Sequence, residues 1–403
     1  PSGCIFKGHD KEKSIFYNII KELFKQRKQY KKLMFEAKSN KQENEEKIFN
    51  NKQMSYKILL NSLYGVLAQK YFRFYNLDLA STVTISGQDL IKFAGYHSDL
   101  WMEDKNSFKI EKEYIANFEK EKTYLKYCDT DSIFLHMEPY LNKQKLELNA
   151  ENVLQQSNLI QNFLNKELLH NYCNIHNINL NESMFELKNE LICKKYYTLN
   201  AKKKYFLHVI RNECAPVDKI EIKGLETKRS DISIVTKDML NQLIKLIVKL
   251  DIFSIEDSEK IINEYRNKTI NIINNGELQI YKSVSFAKEE QEYKTLVQHI
   301  KGMKIWNCLE YEYFVKGCSG YLVPLIGLDY NKAPDEIKNN YQTKFRKQFQ
   351  DKDLDVIVVP EDLEKLPPYY IINKEQVLSV SINDRKDILL EPFYKKTSGI
   401  LTW

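Results

Sequence analysis

The chain has 403 residues, a formal net charge of +6, and 43% hydrophobic and 29% charged residues, which leaves room for two or three compact units and fits a globular and not a disordered chain. A charge this close to balance excludes any conclusion about partners from bulk electrostatics. The distribution says more: Lys and Arg crowd residues 21–38 and recur at Lys202, Lys203 and Lys204, as where a polyanion is gripped, although charged helix faces are commonly just solvated.

Residues 14–38 contain no Gly or Pro and carry Ile15, Ile19, Leu23 and Phe24 at helical spacing, which predicts a helix. Polar residues 39–46 predict a tip, and residues 47–63 a second helix that stops before Gly65. Two helices joined by so short a link predict an antiparallel hairpin. A third helix is expected over residues 79–100. At residues 124–137 the pattern becomes β-rich on either side of Asp129-Thr130-Asp131, which predicts a hairpin with acidic residues at its turn. Further along, a helix is predicted over 151–174, strands over 187–197 and 205–210, and helices over 239–250 and 258–273. Strands mixed with loops complete an α+β chain with a helix-rich last third. The seven cysteines are scattered, odd in number and without a Cys-x-x-Cys pair, so neither zinc nor a disulfide framework is expected and a reducing, cytoplasmic compartment is. No apolar run is long enough to span a bilayer, and no membrane partner is expected.

Two motifs carry chemistry. In Tyr127-Cys128-Asp129-Thr130-Asp131-Ser132 the carboxylates stand at i and i+2, a spacing that on a strand directs both to one side. They repel unless a cation neutralises them, and hard oxygen donors suit Mg²⁺, which binds beside substrate phosphates. Asp is also common in ordinary turns. In Lys57-Ile58-Leu59-Leu60-Asn61-Ser62-Leu63-Tyr64-Gly65, the residues Lys57, Asn61 and Tyr64 form one helical stripe: a cation, an amide and a flat ring, of nucleotide size. Gly65 either allows a close approach or ends the helix. Read alone, this is also an amphipathic helix ending in Tyr. Arg27 and Lys31, at i and i+4 on the first helix, can stand beside Lys57, and three convergent cations ask for a polyanion such as a triphosphate.

Taken together and in this order, Lys-x-x-x-Asn-Ser-x-Tyr-Gly and Tyr-x-Asp-Thr-Asp-Ser resemble the family B DNA polymerases. Lys202-Lys203-Lys204-Tyr205 resembles the basic strand motif with which the family holds a primer terminus, and Lys223-Gly224-Leu225-Glu226-Thr227 the segment leading from palm to thumb. Gln26-Arg27-Lys28 and His299-Ile300-Lys301-Gly302 resemble the replicative enzymes of T-even-type phages. The resemblance implies a right-hand polymerase, with helical-hairpin fingers over residues 1–68, an antiparallel-sheet palm over 69–228 and a helix-rich thumb over 229–403. It implies DNA-directed DNA synthesis on a primer-template from dNTPs, with two Mg²⁺ ions, in the cytoplasm of a bacterial host if the gene is a phage's. Asp131 would be the ligand shared by both ions, Asp129 a weaker one, and Glu190 a further palm carboxylate. Arg27, Lys31, Lys57 and Asn61 would bind the triphosphate, with Lys57 also protonating the leaving pyrophosphate. Tyr64 would check the nascent pair, Gly65 would lie against DNA, Lys203 would contact the primer end, and Lys202, Lys204 and Tyr205 would place the strand.

The family's other bridging aspartate lies in an Asp-x-x-Ser-Leu-Tyr-Pro-type segment before the fingers, and this sequence has none. The N-terminal domain, the proofreading exonuclease and the first palm strand are expected to be missing as well. An N-terminal polypeptide supplying them, from a split gene or as part of one longer chain, is therefore an expected partner; a sliding-clamp contact through residues 400–403 is unsupported. The competing readings are a non-catalytic DNA-binding subunit derived from a polymerase, and a reverse transcriptase or RNA polymerase. The last explains the acidic turn but not residues 57–65.

Overall fold

The computed structural model describes residues 2–4, 15–118, 120–199, 202–213, 215–225, 227, 229, 232–249, 254–310, 314–394 and 400–402. Pro1, Glu226, Leu250 and Trp403, which figure in the expectations above, lie outside the described residues. The chain divides into two compact units, Pro1–Lys188 and Asn189–Trp403.

In the first unit, the uninterrupted helix-forming run becomes α1 (Ile15–Ser39). The chain reverses at Asn40-Lys41-Gln42, where Lys41 takes φ +57° and the Gln42 N–H donates to the Ala37 carbonyl at 2.9 Å. Helix α2 (Glu43–Leu67) starts at once, with Glu43, Glu45 and Glu46 in its first turn complementing the helix dipole. The tip is thus shorter than residues 39–46, because those glutamates favour a helix N-terminus. The ring of Tyr30 joins the two helices, stacked 6.4 Å from Phe49 and 5.7 Å from Tyr56. The expected helix stop at Gly65 is also corrected: α2 runs through it to Leu67. A single exposed glycine costs a helix only about 1 kcal/mol, too little to end one continued by Val66 and Leu67.

Helix α3 (Leu77–Glu103) is capped by the Asn76 side chain, which accepts from the Leu79 N–H at 2.8 Å. Its second half is the spine of the unit and is buried from Phe93 through Asp99. Around it lie α4 (Tyr114–Asn117), the hairpin β1 (Leu125–Asp129) and β2 (Ser132–Leu135), α5 (Met137–Lys143), α6 (Ala150–Phe163) and α7 (Leu169–Ile175), the last two joined by a π-helical turn, Leu164–Leu168. The core is aromatic: the Phe93 ring lies 5.1 Å from both Tyr114 and Tyr172, and Trp101 stacks on Phe163 at 4.6 Å. Each such ring contributes roughly 1.5–3 kcal/mol by leaving water. Buried Asp89 ties α3 to α4 and α7, accepting from the hydroxyls of Tyr114 and Tyr172.

The second unit contains β3 (Leu191–Thr198), β4 (Tyr205–Asn212), β5 (Ala215–Lys223), α8 (Ile234–Lys249), α9 (Ile255–Asn274), β6 (Lys282–Ser285), α10 (Gln298–Leu309), β7 (Ser319–Leu328), α11 (Asp335–Asn340), α12 (Arg346–Gln348), β8 (Val356–Pro360), β9 (Tyr370–Ile372), α13 (Lys374–Leu378), α14 (Asp384–Tyr394) and β10 (Ile400–Thr402). Its strands form the sheets β10-β3-β4-β5 and β6-β7-β8, with β9 also on β7, and every pair is antiparallel. One core runs from Tyr197 and Phe206 of the first sheet through Met239, Leu243 and Trp306 to Val358 of the second. Gly302 in α10 permits close packing there, since a Cβ would stand 3.0 Å from Val358 on β8. The expected α+β class holds. The last third contains a sheet as well as helices, and the tail residues Ile400–Thr402 form an edge strand paired with β3. No helix among the described residues is long and apolar enough to cross a membrane.

Candidate active site

The acidic hairpin reverses over Thr130-Asp131, with Asp129 paired to Ser132 and Cys128 to Ile133. Thr130 adopts φ +53°, a left-handed conformation that a β-branched residue rarely takes, and the Asp131 N–H donates to the Asp129 carbonyl at 2.5 Å, as in a γ-turn. Such local strain costs of order 1–3 kcal/mol and persists only where the surroundings enforce it. This corrects the strand geometry expected for the pair: β1 ends at Asp129, and Asp131 lies in the reversal. Asp131 is exposed and Asp129 half-buried, with Asp129 Oδ1 accepting from the Thr130 hydroxyl at 2.9 Å. Burial pushes the neighbouring Cys128 thiol up to about 11, against the nearby Lys92 cation, so it stays neutral beside the carboxylates.

Two hard-oxygen side chains at an exposed tip fit Mg²⁺, which keeps several waters and shares substrate phosphates. They do not complete a site. Among the described residues no group of three or more His, Cys, Asp or Glu could hold a metal ion. Glu190 belongs to the second unit, exposed just before β3, where its carbonyl accepts from the Glu213 N–H at 2.7 Å.

The helical hairpin α1–α2 carries the cations. Tyr30 stands level with the midpoint between Phe49 and Tyr56, which puts Lys57 level with residue 25 or 26. At 1.5 Å per residue, Arg27 is then offset along the axis by about 2 Å and Lys31 by about 8 Å, so the three cations form a row and not a point. Arg27 falls on the packed stripe of α1 with Leu23, Tyr30 and Ala37, which leaves its Nε buried with no hydrogen-bond partner among the described residues. The Lys31 ammonium lies 5.7 Å from the Phe35 ring, while Lys57 and Asn61 are exposed. Tyr64 is 43% exposed and its hydroxyl is held 2.5 Å from Thr84 Oγ1 on α3, so the ring is anchored although its face is open. A Cβ on Gly65 would meet nothing within 4 Å, so no contact among the described residues requires a glycine there.

Two basic motifs of the second unit meet. The Lys202–Lys204 turn connects β3 to β4, with Lys203 at φ +63° and the Leu199 N–H donating to the Lys204 carbonyl at 3.0 Å. Gly224, at φ +66°, lies so close beneath it that a Cβ would overlap the Lys203 carbonyl oxygen and stand 2.9 Å from its carbon. Lys202 and Lys203 are exposed and Lys204 half-buried. Tyr205 is buried, 5.7 Å from the Tyr196 ring, and so bears on the turn through the sheet.

The motifs do not single out residues 70–75, yet there aromatic rings stand in water: Tyr71 is 86% exposed, Phe74 47% and Tyr75 43%. Lys70 lies 5.2 Å from the Tyr71 ring and Arg73 5.7 Å from that of Phe74. The readable signal is the alternation Lys70-Tyr71-Phe72-Arg73-Phe74-Tyr75, rings interleaved with cations.

A model of DNA polymerase family B matches residues 1–301. Among similar proteins, the DNA polymerase delta catalytic subunit of Dictyostelium discoideum is 26% identical over 304 residues, 74% of this chain and 23% of that protein. A DNA polymerase of Paramecium bursaria Chlorella virus NY2A is 26% identical over 57% of this chain and 21% of its own length. The DNA-directed DNA polymerase of Enterobacteria phage T4 is 25% identical over 54% of this chain and 24% of its own length. The chain thus spans under a quarter of each of these relatives. The family match takes in 301 of 403 residues, including the acidic hairpin, the cationic hairpin and both basic motifs: the chain belongs to DNA polymerase family B.

Proposed function

We propose that this chain forms the fingers (residues 1–68), the later palm (69–228) and the thumb (229–403) of a DNA-directed DNA polymerase, and takes part in template-directed nucleotidyl transfer. The observation that carries the reading is the family B match over residues that hold both an aspartate pair at a surface turn and a row of cations. Asp131, with Asp129, would hold Mg²⁺ together with waters and triphosphate oxygens. Two such ions, held there, would supply activation of the primer 3′-hydroxyl and neutralisation of charge on the phosphates. Arg27, Lys31 and Lys57 bind the triphosphate of the incoming dNTP, and the buried Nε of Arg27 gains the partner it lacks among the described residues. Lys57 hands a proton to pyrophosphate as it leaves. Tyr64, braced by Thr84, offers its face to the nascent base pair, with Asn61 supporting the triphosphate and Gly65 leaving room for DNA. Lys203, held up by Gly224, meets the primer end, flanked by Lys202 and Lys204. Tyr71, Phe74 and Tyr75, interleaved with Lys70 and Arg73, suit the stacked bases and phosphates of a single-stranded template, where each base–ring contact contributes about 1–3 kcal/mol.

Two-metal catalysis would need a further carboxylate beside Asp131 to hold the ions. No third ligand joins the pair among the described residues, and the segment shared with this chain is 23% and 21% of the length of two relatives. An upstream polypeptide carrying the other aspartate, with the exonuclease, is the proposed partner. The likeness to T-even-type phage enzymes rests on Gln26-Arg27-Lys28 and His299 to Gly302, while the identity to the phage T4 protein matches that to the cellular delta subunit. Primer extension with and without an upstream polypeptide bearing an Asp-x-x-Ser-Leu-Tyr-Pro-type segment tests the reading. Synthesis only by the joined enzyme is the expected result. Robust synthesis by this chain alone removes the need for a partner, and DNA binding without synthesis in either case leaves a non-catalytic subunit.

A further inference from the structure

We propose that Asp99 is a positioning residue for the acidic turn: with Gly95 and Glu103, at four-residue spacing on α3, it forms a three-point mount that sets where β1 delivers Asp129 and Asp131. This rests on the reading of that turn as the metal-binding tip.

The three residues stand at i, i+4 and i+8, one face of the helix, and each meets β1 or its lead-in. Asp99 is 7% exposed, and its Oδ1 accepts from the backbone N–H of Tyr124 at 2.7 Å and of Leu125 at 2.8 Å. Those two groups open the strand, where Leu125 makes the first pair with β2, opposite Leu135, and Asp99 satisfies both N–H groups from the α3 side. One turn earlier, Gly95 gives β1 a seat without a side chain: a Cβ there would stand 3.0 Å from Leu125 Cδ2 and 3.1 Å from Cys128 Sγ. One turn later, Glu103 Oε2 accepts from the Tyr124 hydroxyl at 2.8 Å, and its Oε1 meets Lys143 of α5 at 2.8 Å, which ties in the element following β2. Gly95 and Asp99 are buried, so these two points of the mount are part of the core, while Glu103 makes its bonds at the surface.

The geometry amplifies error. Four residues separate Leu125 from Asp129, about 13 Å at 3.3 Å per residue, so a tilt of roughly 5° at the mount moves the first carboxylate by about 1 Å. A displacement of that size at reacting groups costs on the order of 100-fold in rate. An aspartate used only to hold the fold together would instead affect melting and leave the folded enzyme's rate constant intact.

The test is made in the enzyme that contains this chain together with the upstream polypeptide. Asp99→Ala, Asp99→Asn, Gly95→Ala and Asp131→Ala are compared for single-turnover incorporation rate, Mg²⁺ half-saturation and primer-template Kd, at a temperature where each is folded. Asp99→Ala is expected to lower the rate by about 100-fold and raise the Mg²⁺ requirement, with Kd for DNA unchanged. Asp99→Asn keeps an acceptor oxygen and is expected to recover most of the rate. Gly95→Ala, which pushes on Leu125 and Cys128 without removing a charge, is expected to show the same signature in milder form. If Asp99→Ala does not fold, Gly95→Ala and Asp99→Asn carry the test: an unchanged Mg²⁺ requirement in Gly95→Ala, or an Asp99→Asn enzyme that has lost its rate, overturns the proposal. Wild-type rate and Mg²⁺ dependence in a merely less stable Asp99→Ala overturn it too. Normal activity in Asp131→Ala sinks the underlying reading of the turn, whereas an inactive Asp131→Ala beside a normal Asp99→Ala sinks only the mount.

Discussion

Replacing Gly224 by Ala perturbs a place where two basic motifs are fitted together. The residue sits at φ +66°, where an L side chain costs about 1–2 kcal/mol. Its new Cβ would stand 2.9 Å from the Lys203 carbonyl carbon, against the 3.5–4.0 Å of a comfortable contact, so the Lys202–Lys204 turn must withdraw by roughly 1 Å. Overpacking of that kind costs about 1–3 kcal/mol more. A total of about 3 kcal/mol in a unit running from Asn189 to Trp403 lowers its Tm by about 6–12 °C. With Lys203 displaced, affinity for primer-template is expected to fall about 5–10-fold, the equivalent of roughly 1 kcal/mol. Thermal unfolding and fluorescence-anisotropy titration with primer-template read the two effects. A Gly224→Ala protein with Tm within a degree of wild type and unchanged DNA affinity refutes both the packing argument and the role given to Lys203.

Gly65→Ala should behave oppositely toward heat, because the position is helical and its Cβ meets nothing: stability rises by about 0.5–1 kcal/mol while extension weakens, and unchanged extension would show that DNA does not approach this backbone. Arg27→Lys removes the planar fork while keeping the charge, so KM for dNTP should rise about tenfold with primer-template Kd constant; a shift confined to DNA affinity would place Arg27 elsewhere. His97 should give the fold an acid limb. It is fully buried, its Nδ1–H donates to the Phe93 carbonyl at 2.9 Å and its Nε2 accepts from the Glu111 N–H at 3.0 Å, so a second ring proton has no acceptor. Burial holds it below the ordinary value of 6.5. The folded state therefore binds fewer protons than the unfolded one below that value. Its stabilisation is complete above 6.5 and declines by about 1.4 kcal/mol per unit as pH falls from there toward the folded pKa. Denaturant unfolding across pH 5–8 should show a shallower slope in His97→Leu than in wild type, the remainder coming from His136 and His299, which burial also holds low; equal slopes contradict it.

Much of the first unit is legible in the sequence because its helices are long and periodic: α1, α2 and α3 follow from runs without proline, and the hairpin from its shift in period. Gly65 misleads because an isolated exposed glycine is cheap in a helix, and the turn geometry of Asp131 depends on a strained Thr130 that no propensity signals. Arg27 is recognisable as a cation, but that its Nε is buried between two helices depends on hairpin register. Asp99 is invisible in one dimension: an aspartate in a helix reads as a surface residue until α3 is seen to run beneath β1. The short strands β6, β8 and β9 are illegible for another reason: β6 is the mostly polar Lys-Ser-Val-Ser, and runs of three to five residues carry no period that separates strand from helix.

Asp131 is the hinge of the whole account. In the enzyme joined to its upstream polypeptide, Asp131→Ala is predicted to abolish primer extension while primer-template Kd stays within a factor of about two, since the loss is of a metal anchor and not of DNA contacts. Undiminished extension by that variant would contradict the account outright.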